Sequence, residues 1–298
     1  TRTDTLFPYT TLFRSNLITT ADIATAMTLE GLRGTPTVFA DDLQQLRPHP
    51  GQARCAANIR TLVADSGILA TAHAEFQRNH VQDAYSIRCS PQVTGAVRDT
   101  ADYATTVANR ELAAAIDNPV VTLDGRVVSN GNFHGAPIAY VLDFLAIAVA
   151  DLASISERRT DRFLDVARNR GLNAFLADDP GVDSGHMIAQ YTQAGIVSEL
   201  KRNATPASVD SIPSSAMQED HVSMGWSAGR KLRRSIDGLA RVLAIEILTA
   251  ARAIDLRTTD DTNTPAPGTG AVVARLRETV AGPGTDRYLA PEIAEVVA

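Results

Sequence analysis

Three short stretches of the 298-residue sequence concentrate side chains able to do chemistry. The first, QDAYSIRCSPQ at residues 82–92, sets Tyr85 three residues before Arg88, with Gln82 just upstream. A guanidinium offers a rigid fork of donors that matches a carboxylate, and a phenol at that spacing can share its face as an acid, a base or a hydrogen-bond donor. An arginine beside a helix start also serves as an ordinary surface ion pair, and the stretch alone does not choose. The second, SNGNFHG at 129–135, has glycines on both sides of Phe133 and His134. The backbone can turn there and approach a ligand while the side chains supply a flat apolar wall and a titratable ring. The same residues suit a hairpin exit that packs Phe133 into a core. The third, PSSAMQEDH at 213–221, sets Gln218, the adjacent carboxylates Glu219 and Asp220, and the imidazole of His221 just ahead of a long helical stretch. Aligned peptide dipoles favour anions at a helix start. Capping accounts for Asp220 but not for the whole string. No His-x-x-x-His or cysteine pair accompanies these groups, so no metal site is expected, and no Gly-x-Ser-x-Gly elbow points to a serine hydrolase.

These loops need rigid elements to hold them, and the spacing of apolar residues predicts helices nearly throughout. Thr19 or Thr20 starts a helix through about Leu32, and the proline-rich stretch 47–51 introduces another through about Leu69. Pro91 sits in the first turn of a longer helix to about Ile116, with Val93, Ala96, Val97, Thr100, Ala101, Ala104 and Val107 at helical spacing. One hairpin interrupts, Val120–Leu123 and Arg126–Ser129, around an Asp124-Gly125 pair expected in a type I′ turn. A helix from Gly135 to Arg159 is apolar around most of its circumference, which predicts an interior position in a bundle. Further helices are expected at Met187–Lys201 and His221–Arg257, then a loop over 258–270 and a last helix from about Ala271 with a short tail. The expected fold is mainly α, a long-helix bundle with one short β-hairpin.

Composition excludes several classes. Hydrophobic residues make up 44% and charged residues 21%, ordinary for a folded globular chain, while aromatics are only 5%. A net charge of -6 gives no general pull toward phosphate backbones or anionic lipid, so neither nucleic acid nor a membrane is an expected partner. The apolar run 135–155 carries Asp143 and Asp151, which are costly in lipid, and reads as a core helix. The two cysteines, Cys55 and Cys89, are too few for a disulfide framework and fit a reducing cytoplasm. Residues 1–15 differ from the rest. One back-translation of TLFPYTTLFRS resembles the end of a widely used sequencing adapter, so this tail is expected to be non-native and the native domain to occupy 16–298.

Taken together, the strings YSIRCSPQ, DNPVV, NGNFHG, ISERR, DSGHMIAQYT, PASVDSIPSSAMQEDHVSMG and LAIEILTAA resemble the histidine ammonia-lyases, in order and roughly at family spacing, over nearly all of the chain after Asn16. That family belongs to the aromatic amino acid lyases, mostly helical homotetramers whose active sites draw on more than one subunit. The resemblance implies non-oxidative deamination of L-histidine to urocanate, a step in histidine catabolism. It also implies an electrophile, methylidene-imidazolone, formed from the family's own Ala-Ser-Gly triplet. That triplet is absent here; Asp65-Ser66-Gly67 and Asp183-Ser184-Gly185 come nearest. The chain is therefore expected to be a C-terminal piece lacking the cofactor and inactive alone.

By the same resemblance Arg88 pairs with the substrate carboxylate, Tyr85 lies beside the reacting carbons, Gln82 supports that region and Phe133 walls the pocket. Glu219 contacts the imidazole or assists proton transfer, with Gln218 as its neighbour, while His134, Asp220 and His221 support from behind or cap. Phenylalanine and tyrosine lyases resemble the chain too, but usually carry an amide at the Glu219 position and Gln in place of His134. A carboxylate can accept an imidazole N–H, which favours histidine by roughly 1 to 3 kcal/mol. The same-class alternatives are a tyrosine or phenylalanine lyase or aminomutase; an alternative from another class is a non-catalytic helical scaffold. A fumarase-type lyase is disfavoured because Met217 is followed by Gln218, Glu219 and Asp220 and not by a lysine.

Overall fold

The computed structural model describes residues 16–76, 82–258 and 261–298; the expected non-native tail at 1–15 lies outside them. The described residues form α1 (Ile18–Gly31), α2 (Asp41–Gln45), α3 (Pro50–Leu62), α4 (Gly67–Phe76), α5 (Tyr85–Arg88), α6 (Ser90–Leu112), β1 (Val120–Val121), β2 (Val127–Val128), α7 (Ala136–Leu164), α8 (Met187–Asn203), α9 (Gly225–Arg257), α10 (Pro267–Leu276) and α11 (Ala290–Val297). The mainly helical bundle with a single hairpin is what the apolar spacing predicts.

Two long helices, α7 and α9, make the most extensive contact among the described residues. Leu145, Val149, Leu152 and Ala153 of α7 and Leu239, Val242, Leu243 and Ala250 of α9 are almost fully buried. Each buried leucine or valine of this kind contributes about 2 kcal/mol of transfer free energy before entropy is counted. The other helices surround this pair: α1, α8 and α11 pack on α9, while α6 packs against both α7 and α3. α7 is long and apolar enough to cross a membrane by composition alone, yet 56% of its most apolar window is buried in the protein. Its Asp143 is buried and paired with Lys231 at 2.9 Å. It is a core helix.

Several boundaries differ from the expected ones. The single helix expected to reach Leu69 is two, α3 and α4. The chain turns through Asp65 with φ +62°, and Ser66 Oγ then accepts the Leu69 amide at 3.1 Å, an N-cap for α4. α9 begins at Gly225 and not at His221, so neither Asp220 nor His221 caps it. The nearby side-chain bond is Ser223 Oγ accepting from the Gly225 amide at 3.2 Å. The hairpin turn is not type I′. Only Gly125 takes a positive φ, +84°, and its amide bonds to the Thr122 carbonyl at 2.9 Å. That is a turn through Thr122–Gly125 closed by a glycine in the left-handed region, and it leaves Val120 opposite Val128 and Val121 opposite Val127. The expected last helix starts earlier, at Pro267, and ends at Leu276 as α10, while the expected tail carries a further helix, α11.

Candidate active site

The Tyr85–Arg88 turn projects from the bundle. Its first carbonyl partner, Ala84, accepts the amides of Ile87 and Arg88 at 3.0 Å each, and Pro91, with its preset φ, starts α6 directly after it. Ile87 is buried and anchors the turn, while Tyr85 is 70% exposed. The Arg88 guanidinium carbon lies 4.4 Å from the Tyr85 ring centre, a cation–π contact that holds both side chains on one face. Arg88 Nε donates to the Asp83 carbonyl at 2.9 Å. No carboxylate of the described residues pairs with Arg88, so its terminal donors are available to an anion. Gln82 is exposed at the entrance to this turn.

The other two stretches meet in a cleft of about 950 Å³, lined by Phe133, His134, Gln218, Glu219, Asp220 and His221 over an apolar floor from α7 and α9 that includes Leu142, Trp226 and Leu232. The SNGNFHG loop is stitched to the chain before the hairpin. Asn118 Oδ1 accepts from the Asn130 amide at 2.9 Å, and the Asn130 side chain donates to the Asp117 carbonyl at 3.0 Å. His134 then stacks on His221, with ring centres 5.6 Å apart and planes within 5°. Its Nε2 lies 3.2 Å from the His221 carbonyl. A carbonyl can only accept, so that nitrogen carries the proton.

Glu219 is presented by a tight reversal. Ser214 and Glu219 exchange backbone bonds at 2.9 and 3.2 Å around three consecutive left-handed residues, Ser215, Ala216 and Met217, at φ +51°, +53° and +68°. Side chains with a Cβ resist that region, so the turn is strained and held by its ends. Ser214 Oγ donates to Glu219 Oε2 at 2.6 Å. Hydrogen bonds from Ser214 and then Ser215 hold the Glu219 carboxyl below the usual range, so it is ionised at neutral pH and able to accept an N–H.

The two halves do not meet within one chain. The Phe133–Glu219 cleft sits at the start of α7, while Arg159, near its other end, donates from Nη1 to the Ser86 carbonyl at 3.3 Å and so marks where the Tyr85–Arg88 turn lies. The span from Ala136 to Arg159 rises about 35 Å along the helix. One copy presents a guanidinium at one end of its longest apolar helix but one, and a carboxylate beside an apolar cleft at the other.

An aromatic amino acid lyase family model matches residues 11–278. The chain belongs to the aromatic amino acid lyase family. A curated histidine ammonia-lyase from Streptomyces griseus is 63% identical over 280 residues, which take in 94% of this chain and 54% of that protein. The crystal structure of histidine ammonia-lyase from Trypanosoma cruzi matches with a TM-score of 0.85 at 39% identity, over 96% of this chain and 53% of that one. Tyrosine aminomutase from Streptomyces globisporus matches with a TM-score of 0.89 at 36% identity, over 97% of this chain and 58% of that one. This aromatic amino acid lyase chain spans about half the length of the curated relatives it matches.

Sequence reasoning about the lyase motifs missed the residues that mount them. Glu246 of α9 takes a bidentate pair from Arg159, at 2.5 and 2.9 Å, plus hydroxyls from Thr28 at 2.8 Å and Ser156 at 2.5 Å, all with fully buried side chains. The signal was available: LAIEILTAA carries one charge in an apolar run, and ISERR sets an arginine on a core-facing helix. Buried charges are almost always paired.

Proposed function

We propose that this chain is the substrate-gripping part of a histidine ammonia-lyase, a carbon–nitrogen lyase that eliminates ammonia from L-histidine to give urocanate. The observation that most supports the reading is a guanidinium stacked on a phenol with no carboxylate partner among the described residues, in a chain that also bears an ionised carboxylate beside an apolar cleft. Arg88 grips the carboxylate of histidine, Tyr85 stands beside the carbons that lose the proton and the amine, and Gln82 orients the same region. Phe133 packs against the ring, Glu219 accepts an imidazole N–H, and Gln218 flanks it. His134 and His221 form the stacked base of that wall, beside Asp220.

The two walls lie roughly 35 Å apart along α7, so a complete site takes one wall from each of two copies. A homotetramer in the cytoplasm is the assembly proposed. None of the 298 residues forms the Ala-Ser-Gly triplet from which the family's electrophile is made.

A second reading, a tyrosine lyase or aminomutase, draws on the TM-score of 0.89 with tyrosine aminomutase. The carboxylate of Glu219 argues for histidine over phenylalanine, since an apolar ring gives it no donor to accept from; a phenol would offer its O–H, so turnover of histidine against tyrosine is what separates the two readings. The test is to join residues 16–298 to the N-terminal half of the Streptomyces griseus relative and follow urocanate absorbance. The expected result is turnover of histidine but not tyrosine, lost from the 298-residue chain alone. A folded, oligomeric hybrid inert to histidine would contradict the reading and leave a scaffold role.

A further inference from the structure

The Tyr85–Arg88 turn is fixed from two sides. Arg159 holds the far side through the Ser86 carbonyl and Ser90 Oγ, at 3.3 and 3.4 Å. The near side depends on Asp83, which is buried although it stands at the edge of an exposed loop. Its Oδ1 accepts from Arg170 Nη2 at 2.9 Å and its Oδ2 from the Thr35 amide at 2.6 Å, while its own carbonyl accepts Arg88 Nε. One residue therefore clamps the backbone to two distant segments and, through that backbone, takes the one internal donor of Arg88. What remains of the guanidinium is its outward fork.

The surroundings strengthen this geometry. Arg33, Arg162, Arg170 and Arg257 gather behind Asp83. Arg257 donates to the carbonyls of Gly31, Asn169 and Arg170, at 3.1, 2.6 and 2.8 Å, and pairs with no carboxylate among the described residues. Burial, then Arg33 and Arg170, press its pKa down to about 10, so it remains a cation at neutral pH.

We propose that Asp83 is the positioning residue that aims Arg88 at an incoming carboxylate, with Arg170 as its anchor. The proposal rests on Arg88 being the carboxylate grip. Asp83 does not touch the ligand. It fixes the carbonyl that orients the fork, and the separate Arg159 mount keeps the turn folded when Asp83 is altered.

The test compares Asp83→Asn and Arg170→Gln in the active hybrid with the parent, with and without Arg88→Ala. Both single variants are expected to raise KM for histidine about tenfold with kcat changed less than about threefold, because ground-state grip is what is lost. Inhibition by histamine, which keeps the imidazole and lacks the carboxylate, is expected to stay unchanged. In the Arg88→Ala background Asp83→Asn is expected to add nothing further. In the 298-residue chain labelled with 15Nε-arginine, the protected Arg88 Nε–H is expected to exchange faster in both variants. The proposal is overturned if Arg88→Ala raises KM while Asp83→Asn and Arg170→Gln do not, or if histidine and histamine weaken together. If Arg88→Ala itself leaves KM alone, it is the carboxylate-grip reading that fails.

Discussion

At the scale of single residues, buried ionisable groups tie stability to pH in a way that can be signed. His186 is almost fully buried. Its Nδ1 lies 3.0 Å from Thr249 Oγ1, and burial, then the charges of Arg252, Arg287 and Arg277, press its pKa down to about 3. The unfolded chain binds that proton near 6.5, so between about 6.5 and 3 it holds more protons than the folded one, and stability falls as pH falls through that window. Glu30 and Asp22 act in the opposite sense. Burial raises both, despite bonds to Glu30 from Ser66, Thr269 and the Ala266 amide and to Asp22 from Arg98 and Asn58, so their contribution weakens as pH rises through the folded values. The histidine is isolated by comparison: denaturant midpoints of His186→Gln measured from pH 7 to pH 4 should fall less steeply than those of the parent. Equal slopes would mean that His186 is protonated in the fold. Cys55, whose thiol burial pushes well up, is inert in the same interior.

At the scale of elements, the fold depends on how ionised side chains cross-link helices. Arg159→Met should leave the buried Glu246 carboxyl without its guanidinium partner, held only by the Thr28 and Ser156 hydroxyls, and cost about 3 to 5 kcal/mol, read as a lower denaturant midpoint. Arg159→Met with Glu246→Leu should recover much of that loss; equal destabilisation by single and double variants would show that the pair is not the joint. The sequence revealed less of this than of the helices themselves. α7 was legible as a long apolar run interrupted by Asp143 and Asp151, and α9 as a long helical pattern with one apolar face. Asp65, by contrast, breaks α3 from α4 through a left-handed residue that is not a glycine, and α9 opens only at Gly225, four residues after the His221 at which it was expected to start. The hairpin was placed correctly, but its turn type was not, since Asp124-Gly125 suits both a type I′ pair and a glycine-closed bulge. Of the candidate site, residue types were readable and their grouping was not. Local strings say nothing about which end of a long helix each loop reaches.

At the scale of the whole molecule, the separation of the two walls carries the functional account. Tyr140, Phe144 and Ile147 leave apolar surface along the outer side of α7, and Trp226, 81% exposed, stands at the cleft, so this region is suited to contact with other protein. An arginine and a carboxylate held at opposite ends of α7, a rise of about 35 Å, can serve one amino acid only if different copies supply them. The most direct test is complementation in trans. Hybrids carrying Arg88→Ala and hybrids carrying Glu219→Ala, each differently tagged and each inactive on histidine, are co-expressed and the doubly tagged oligomers isolated. If each site takes one wall from each of two copies, random mixing leaves about a quarter of sites with both walls intact, and urocanate formation should return to a corresponding fraction of the parent rate. Doubly tagged oligomers that bind together yet form no urocanate would contradict the account, because they would place Arg88 and Glu219 in a site built by a single chain.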